Sequence, residues 1–276
     1  MGKRDYLLTA LLFVVLLFGL WLAQKYLNAY LIRILNTAFI YVIAAVAYNL
    51  INGISGQFSL GPNGFMALGG YTVALLMLPV IQKQQVYFLT PLIWPFSVIT
   101  FPSYLFILSL ILGGLVAAGG ALLIGFPTLR LRGDYLAIAS FGFSEIIFVL
   151  ANNFIPLTNG ALGIKGIPQY TNLWWTGGLA FLTVFLIRNL VNSSFGRALK
   201  AIREDEIAAQ TMGINPFRMK LLAFAISGFF AGVAGGLFVT LISTVSPTLF
   251  TFAMTFNLLI IIVLGGLVSI TGSVVT

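Results

Sequence analysis

The chain has 276 residues, of which 60% are hydrophobic and 7% are charged, and its formal net charge is +8. Soluble proteins hold about 25% charged residues, so this composition excludes an ordinary soluble domain and predicts a polytopic membrane protein. The basic excess does not indicate nucleic-acid binding, because basic residues accumulate on the cytoplasmic side of membrane proteins. The chain has no Cys and no His, which excludes thiolate chemistry and the commonest metal ligand. We predict no metal site and no cofactor.

The apolar runs predict helices rather than a barrel. They are about 18 to 23 residues long, the length that a helix needs to cross the hydrocarbon layer, and they lack the alternation of barrel strands. We therefore predict an all-α integral membrane protein in which residues 1–276 form one transmembrane domain of about eight helices with Gly- and Pro-broken segments. The expected spans are residues 6–23, 31–51, 65–81, 104–125, 135–154, 173–190, 221–241 and 252–268.

The stretch between the second and third spans, residues 52–64, is rich in glycine and contains one proline. One interpretation is a short cytoplasmic turn. The other is a broken, partly re-entrant segment whose exposed backbone lines a pathway through the membrane, as such breaks do in transporters. In that case the candidate pathway residues are Ser55, Gly56, Ser59 and Gly61. Further on, three prolines interrupt residues 82–103, which we expect to lie at the membrane interface or to be re-entrant.

Glu145 lies in the middle of the fifth span, where an ionised carboxylate costs about 2.5 kcal/mol or more. Such a residue normally faces the interior of the bundle and is paired or protonated. It is then either a hydrogen-bonded contact between helices or a polar group in a translocation pathway, including a possible proton site. The sequence leaves both interpretations open.

The longest polar segment is Ser193–Lys220, which holds eight of the chain's 20 charged residues. Good helix formers run from Gly196 to Met212, and Gly213 stands at a plausible C-terminal cap. On this helix the apolar positions 198, 202, 209 and 212 fall within one arc. A short helix of this kind either lies on the membrane surface or docks in a groove of a soluble protein.

Orientation follows from the basic residues. If the N-terminus and residues 193–220 are cytoplasmic, ten basic residues lie inside and four outside, which is the bias of the positive-inside rule. The inside set is Lys3, Arg4, Arg130, Arg132, Arg188, Arg197, Lys200, Arg203, Arg218 and Lys220, and the outside set is Lys25, Arg33, Lys83 and Lys165.

The chain has no GxxxxGK[ST] phosphate-binding motif. A transporter built on it would therefore take its energy from an ion gradient or from another subunit.

Several stretches resemble one family. GRALKAIREDEIAAQTMGIN is similar to the EAA-type cytoplasmic loop of ABC-importer permeases, and more narrowly to LivM-type permeases of branched-chain amino-acid importers. GDYLAIASFGFSEIIFVLANN, LTNGALGIKGIP, NLINGISGQFSLGPNGFMALGGYTVALL and KLLAFAISGFFAGVAGGLF resemble other parts of that family, in the same order.

The resemblance implies a permease subunit without catalysis of its own, in a bacterial-type plasma (inner) membrane. Its partners would be cytoplasmic ABC ATPases, a homologous LivH-type permease and an external or periplasmic substrate-binding protein. The binding protein would dock at Thr158, Asn159 and Gly160. The ATPase-coupling residues implied are Gly196, Arg197, Lys200, Arg203, Glu204, Asp205, Glu206, Ala208, Ala209 and Gly213.

The sequence departs from the family at two places. The acidic position of the E-A-A-x3-G pattern falls on Ile207, with Glu206 displaced by one residue. The final GGLVSITGSVVT resembles the start of a family turn that a further helix follows, so we expect a C-terminus truncated relative to the family. Three alternatives remain at this point: an ion-coupled secondary transporter, an ABC permease for another small neutral solute, and a structural subunit that transports nothing.

Overall fold

The structure is a computed structural model that describes residues 15, 17–88, 90–131 and 133–276. It is almost entirely helical. The long helices are α2 (Ala29–Asn49), α3 (Pro62–Met77), α5 (Phe106–Thr128), α6 (Asp134–Asn153), α8 (Leu173–Asn192), α9 (Ser194–Glu204), α11 (Pro216–Ile242) and α12 (Phe252–Gly265). Shorter helices are α1 (residues 17–26), α4 (Val80–Val86), α7 (Ile155–Thr158), α10 (Glu206–Thr211) and α13 (Ile270–Val275).

Within the described residues, six helices are long and apolar enough to cross a membrane: α2, α5, α6, α8, α11 and α12. Three of them, α2, α5 and α12, reach this length together with the short helical turns that adjoin them. A seventh span results if α3 and α4, which meet at an angle of 118°, are counted as one broken span. Most of the predicted first span, residues 6–23, lies outside the described residues. The prediction of a polytopic helical membrane protein is confirmed.

Helix α11 lies at the centre and packs against α2, α3 and α5. Small residues permit these close contacts, as they do generally between membrane helices. A Cβ atom added to Gly69 of α3 would lie 2.2 Å from the carbonyl oxygen of Gly232. A Cβ on Gly235 would lie 2.0 Å from that of Met66. Glycine therefore sets the distance between α3 and α11.

We call residues 50–61 the break. Its first part, Leu50–Ile54, continues α2 as a π-helical turn, and the chain then runs without regular structure until Pro62 starts α3. Asn52, Ser55 and Ser59 are 8%, 2% and 1% exposed. The break is therefore a buried interruption between two helices rather than an exposed turn.

We call the end of the bundle that carries α9 and α10 the polar end. At the opposite end, β1 (Ile164–Lys165) pairs antiparallel with β2 (Thr244–Val245), which follows α11. Residues 87–88 and 90–102 form a loop at this end. The Lys83 ammonium, 2% exposed, donates to the carbonyl oxygens of Phe96 at 2.7 Å and Ile99 at 2.5 Å and so anchors the loop.

The polar stretch 193–220 and the C-terminal residues differ from the sequence-based expectation. The polar stretch expected to form one helix to Met212 is two helices that meet at Asp205. Residues 216–220, assigned to the polar segment, form the first turns of α11. Near the C-terminus, the last residues form the short helix α13.

Candidate functional site: the break and the α9–α10 segment

The predicted pathway residues Ser55, Ser59 and Gly61 are buried in the break, and Gly56 is exposed. The Tyr48 hydroxyl donates to the Ser59 carbonyl oxygen at 2.6 Å. The Asn52 side chain closes the same loop, because its oxygen accepts from the Ser59 N–H at 3.2 Å. These bonds supply the backbone partners that the interrupted helix no longer provides.

Three other helices bind the break and its flanks. The Leu60 N–H donates to the Ser140 hydroxyl of α6 at 2.9 Å. Just after the break, the Thr255 hydroxyl of α12 donates to the Asn63 side chain at 2.8 Å. Just before it, the Asn49 side chain donates to the Ser273 hydroxyl of α13 at 2.7 Å. Movement of the break therefore involves α6, α12 and α13 directly.

Asp205 separates α9 from α10. Its extended backbone, with φ −153° and ψ 111°, ends α9, and its carboxylate accepts from the N–H groups of Ile207 at 2.8 Å and Ala208 at 3.0 Å. This is an N-cap, in which a side-chain oxygen binds the first free amides of a helix. Gly213, with φ +81°, ends the segment in a conformation that glycine adopts without strain.

The apolar side chains of the segment divide between two directions. Leu199, Ile202 and Ala209 are 0%, 3% and 4% exposed and face the bundle. Ile207 and Met212 are 74% and 82% exposed. The single apolar arc expected from the sequence is therefore divided, because the chain changes direction at Asp205 and Met212 points away from Ile202. Sequence reasoning did not identify Ile207 and Met212 as an outward pair.

Charged side chains tie the segment to its neighbours. The Lys220 ammonium of α11 lies 2.8 Å from the Glu206 carboxylate. Arg197 is exposed and donates to the Asn192 carbonyl oxygen at 3.2 Å.

Gly196 is buried at the α8–α9 corner, where a Cβ would lie 2.1 Å from the Val191 carbonyl oxygen. The remaining predicted coupling residues are exposed or partly exposed, namely Lys200, Arg203, Glu204, Asp205 and Ala208.

Arg203 connects the segment to the break. One terminal nitrogen of its guanidinium donates to the Gly53 carbonyl oxygen at 3.0 Å, and the other lies 2.7 Å from the Glu204 carboxylate. A cavity of about 680 Å³ adjoins this contact. Its walls are residues 55–58, residues around the α5–α6 turn, residues 202–207 and 210, and Lys220. The two regions singled out separately in the sequence thus form one site at the polar end.

Glu145 is partly buried on α6 and, among the described residues, forms no hydrogen bond or ion pair. The surface of α6 near Glu145 is open, because Gly142, one turn earlier, is exposed and a Cβ there would meet nothing within 4 Å. The hydrogen-bonded contact between helices considered for Glu145 is therefore absent from the described part of this chain. The structure does not bring Glu145 together with the break.

The residues assigned to binding-protein docking lie at the opposite end. Thr158 and Asn159 are each 7% exposed. The Thr158 hydroxyl donates to the Ala151 carbonyl oxygen at 2.7 Å, and the Asn159 side chain to that of Gly163 at 2.8 Å. These side chains shape the loop from inside, whereas Leu162, at 54% exposure, faces outward.

The fold and this site define a polytopic helical membrane protein with a capped polar segment that is tied to an interrupted span. A family model described as the permease component of the branched-chain amino acid transport system matches residues 30–276. The chain belongs to that family.

The chain is similar to two proteins described as the high-affinity branched-chain amino acid transport system permease protein LivM, from Salmonella typhimurium and Escherichia coli. Each is 37% identical over 270 residues, which cover 86% of this chain and 58% of the relative. A probable branched-chain amino acid transport permease protein LivM from Methanocaldococcus jannaschii is 28% identical over 171 residues, covering 58% of this chain and 48% of the relative. The matched part of the chain thus spans 58% of the length of the first two relatives and 48% of the third. No solved structure matches.

Proposed function

We propose that this chain is the transmembrane permease subunit of an ABC importer that moves branched-chain or other apolar amino acids inward. The energy comes from ATP hydrolysis on separate subunits, and this chain carries no catalysis of its own. The observation that carries the proposal is the α9–α10 segment, which presents Ile207 and Met212 outward while its other face is held against the break. The family membership supports the same conclusion.

The proposed assembly places the chain in a bacterial-type plasma membrane, with the N-terminus and the polar end in the cytoplasm. Cytoplasmic ATPases contact the α9–α10 segment, a homologous LivH-type permease lies beside the chain, and an external binding protein contacts the loop around Leu162. The distribution of basic residues supports this orientation. Lys25, Arg33, Lys83 and Lys165 belong to the opposite end, and the other described basic residues belong to the polar end.

The low number of charged side chains in the bundle limits the class of substrate. Among the described residues, Glu145 is the only acidic side chain in the interior of a membrane-spanning helix. A lining with so little charge suits a zwitterion with an apolar side chain, and it also suits a neutral sugar or nucleoside. The substrate panel must therefore contain leucine, isoleucine, valine, a sugar and a nucleoside.

The test is assembly followed by uptake. The chain is co-expressed with candidate ABC ATPases and a LivH-type permease from the same genome, and co-purification of an ATPase is measured. We expect wild type to retain the ATPase and Ile207→Glu to lose it. Leu199→Met, a buried and conservative change on the segment's inner face, serves as the control. A wild-type chain that never retains an ATPase would refute the proposal.

Glu145, which has no hydrogen-bond or ion-pair partner within the described part of the chain, favours one rival, a proton-coupled secondary transporter. Uptake into proteoliposomes separates the two functions. The rival requires that a pH gradient alone drive uptake and that Glu145→Gln abolish it. Uptake that depends on ATP and survives Glu145→Gln removes the rival.

A further inference from the structure

The contact between Arg203 and Gly53 joins two parts of the chain that are 150 residues apart in sequence. Gly53 belongs to the π-helical turn of the break, and Arg203 to the last turn of α9. A helix end leaves carbonyl groups without partners in the helix, and the guanidinium binds one of them. This bond is charge-assisted, which makes it stronger than an ordinary backbone hydrogen bond.

Apolar packing accompanies the hydrogen bond. Leu199, one turn before Arg203, is fully buried in a cluster with Leu50 and Ile54 of the π-helical turn and Val46 of α2. α9 therefore contacts the break through a buried apolar side chain and a polar one at successive turns.

Gly56 brings the Arg203 side chain close to the backbone of the break. Its φ is +68°, and a Cβ atom there would lie 2.4 Å from the Cγ of Arg203. The alkyl chain of Arg203 thus passes directly over Gly56. Both the conformation and the contact require glycine at this position.

The two ends of α9 have different surroundings. At its start, Gly196 packs tightly against the backbone of Val191, so the α8–α9 corner has no spare room. At its end, Ile202 and Arg203 line the 680 Å³ cavity. A force on the α9–α10 segment therefore displaces the Arg203 end of α9 more than the Gly196 end.

We propose that Arg203 is a positioning residue that transmits displacement of the α9–α10 segment to the π-helical turn of the break, through Gly53 and over Gly56. This inference rests on the proposed function, because the displacing force comes from the ATPase. Arg203 thus acts in coupling hydrolysis to transport, and docking of the ATPase depends on Ile207 and Met212 instead.

The experiment uses the complete complex in proteoliposomes, with the binding protein and radiolabelled leucine. It measures ATPase retention, ATP hydrolysis and leucine uptake. In Arg203→Ala we expect normal retention and continued hydrolysis, but a fall of about tenfold in leucine transported per ATP, within the usual range of coupling effects. Arg203→Lys, which keeps a cation able to reach a carbonyl oxygen, is expected to recover part of the ratio.

Two further variants sharpen the test. Gly56→Ala removes the same contact from the other side and is expected to lower the same ratio, and the double variant with Arg203→Ala should be no worse than either single variant. Arg188→Ala is the matched control, since Arg188 is an exposed arginine on α8 near the polar end and lies outside the α9–α10 segment. Its ratio should equal that of wild type.

The outcomes distinguish failure of the inference alone from failure of the proposed function. An unchanged transport-to-hydrolysis ratio in Arg203→Ala overturns the role of Arg203 while the retained ATPase leaves the proposed function intact. Loss of the ATPase in Arg203→Ala also overturns it, because Arg203 would then act in docking. If wild type retains no ATPase, the proposed function fails and the inference fails with it.

Discussion

The backbone N–H of Leu60 and the hydroxyl oxygen of Ser140 lie 2.9 Å apart and form the hydrogen bond that joins the break to α6. Ser140 is 1% exposed, so its hydroxyl is shielded from bulk water. A buried N–H that loses its partner costs about 1–3 kcal/mol. We expect Ser140→Ala to lower the thermal unfolding temperature in detergent, measured by tryptophan fluorescence.

Ser144→Ala provides the control for Ser140→Ala. Ser144 lies one turn further along α6 and is 2% exposed, but its hydroxyl donates to the Phe141 carbonyl oxygen of its own helix. Its removal leaves no amide without a partner, so the unfolding temperature should change less. Equal shifts in the two variants would contradict the role given to the Leu60–Ser140 bond.

Asp205→Ala should loosen α10. The carboxylate caps the amides of Ile207 and Ala208, and the loss of such a cap costs about 0.5–2 kcal/mol. We expect faster hydrogen exchange in a peptide covering residues 206–212. Asp205→Asn, which keeps a capping oxygen, should exchange nearly as wild type does. Exchange that is the same in all three chains would show that the cap does not hold the helix.

Gly69→Ala should destabilise the bundle. Its methyl group would lie 2.2 Å from the Gly232 carbonyl oxygen, and forcing extra atoms into a packed interior costs about 1–3 kcal/mol. Gly119→Ala on α5 is the control, because a Cβ there meets nothing within 4 Å and alanine favours a helix. The unfolding temperature should fall only in Gly69→Ala, and a matching fall in both would be inconsistent with the α3–α11 contact.

Lys83→Met should destabilise the loop that Lys83 holds. The substitution removes the ammonium that donates to the carbonyl oxygens of Phe96 and Ile99, and a buried acceptor that loses its partner costs about 1–3 kcal/mol.

The matching experiment compares the thermal unfolding temperatures of wild type and Lys83→Met in detergent. We expect a lower unfolding temperature in Lys83→Met, and an unchanged one would contradict the anchoring role of Lys83.

The sequence predicted a helical membrane protein because a long apolar run in lipid must pair its own backbone N–H and C=O groups, which a helix does within one segment. It also located the interruption in residues 52–64, because glycine and proline together disfavour a continuous helix. It did not decide whether that stretch is exposed or buried. That depends on partners such as Ser140 and Thr255, which are far away in the chain.

The α9–α10 segment was predicted less completely for a physical reason. Helical periodicity shows which residues share a face, but not whether the face points to the bundle or away from it. The arrangement also depends on Asp205, which is compatible with the middle of an exposed helix face and equally with an N-cap. The sequence pattern therefore assigned Ile202 and Met212 to one helix face. In the structure they point in different directions, because α9 ends at Asp205 and α10 starts there along a different axis.

One consequence concerns α11, which runs without interruption for 27 residues. At 1.5 Å per residue it is about 40 Å long. Its first turns hold Glu206 through Lys220, and after its last residue the chain enters β2, which pairs with the loop strand β1. A regular helix resists stretching, so α11 connects the two ends of the bundle rigidly. A tilt of α11 imposed at one end therefore also moves its other end.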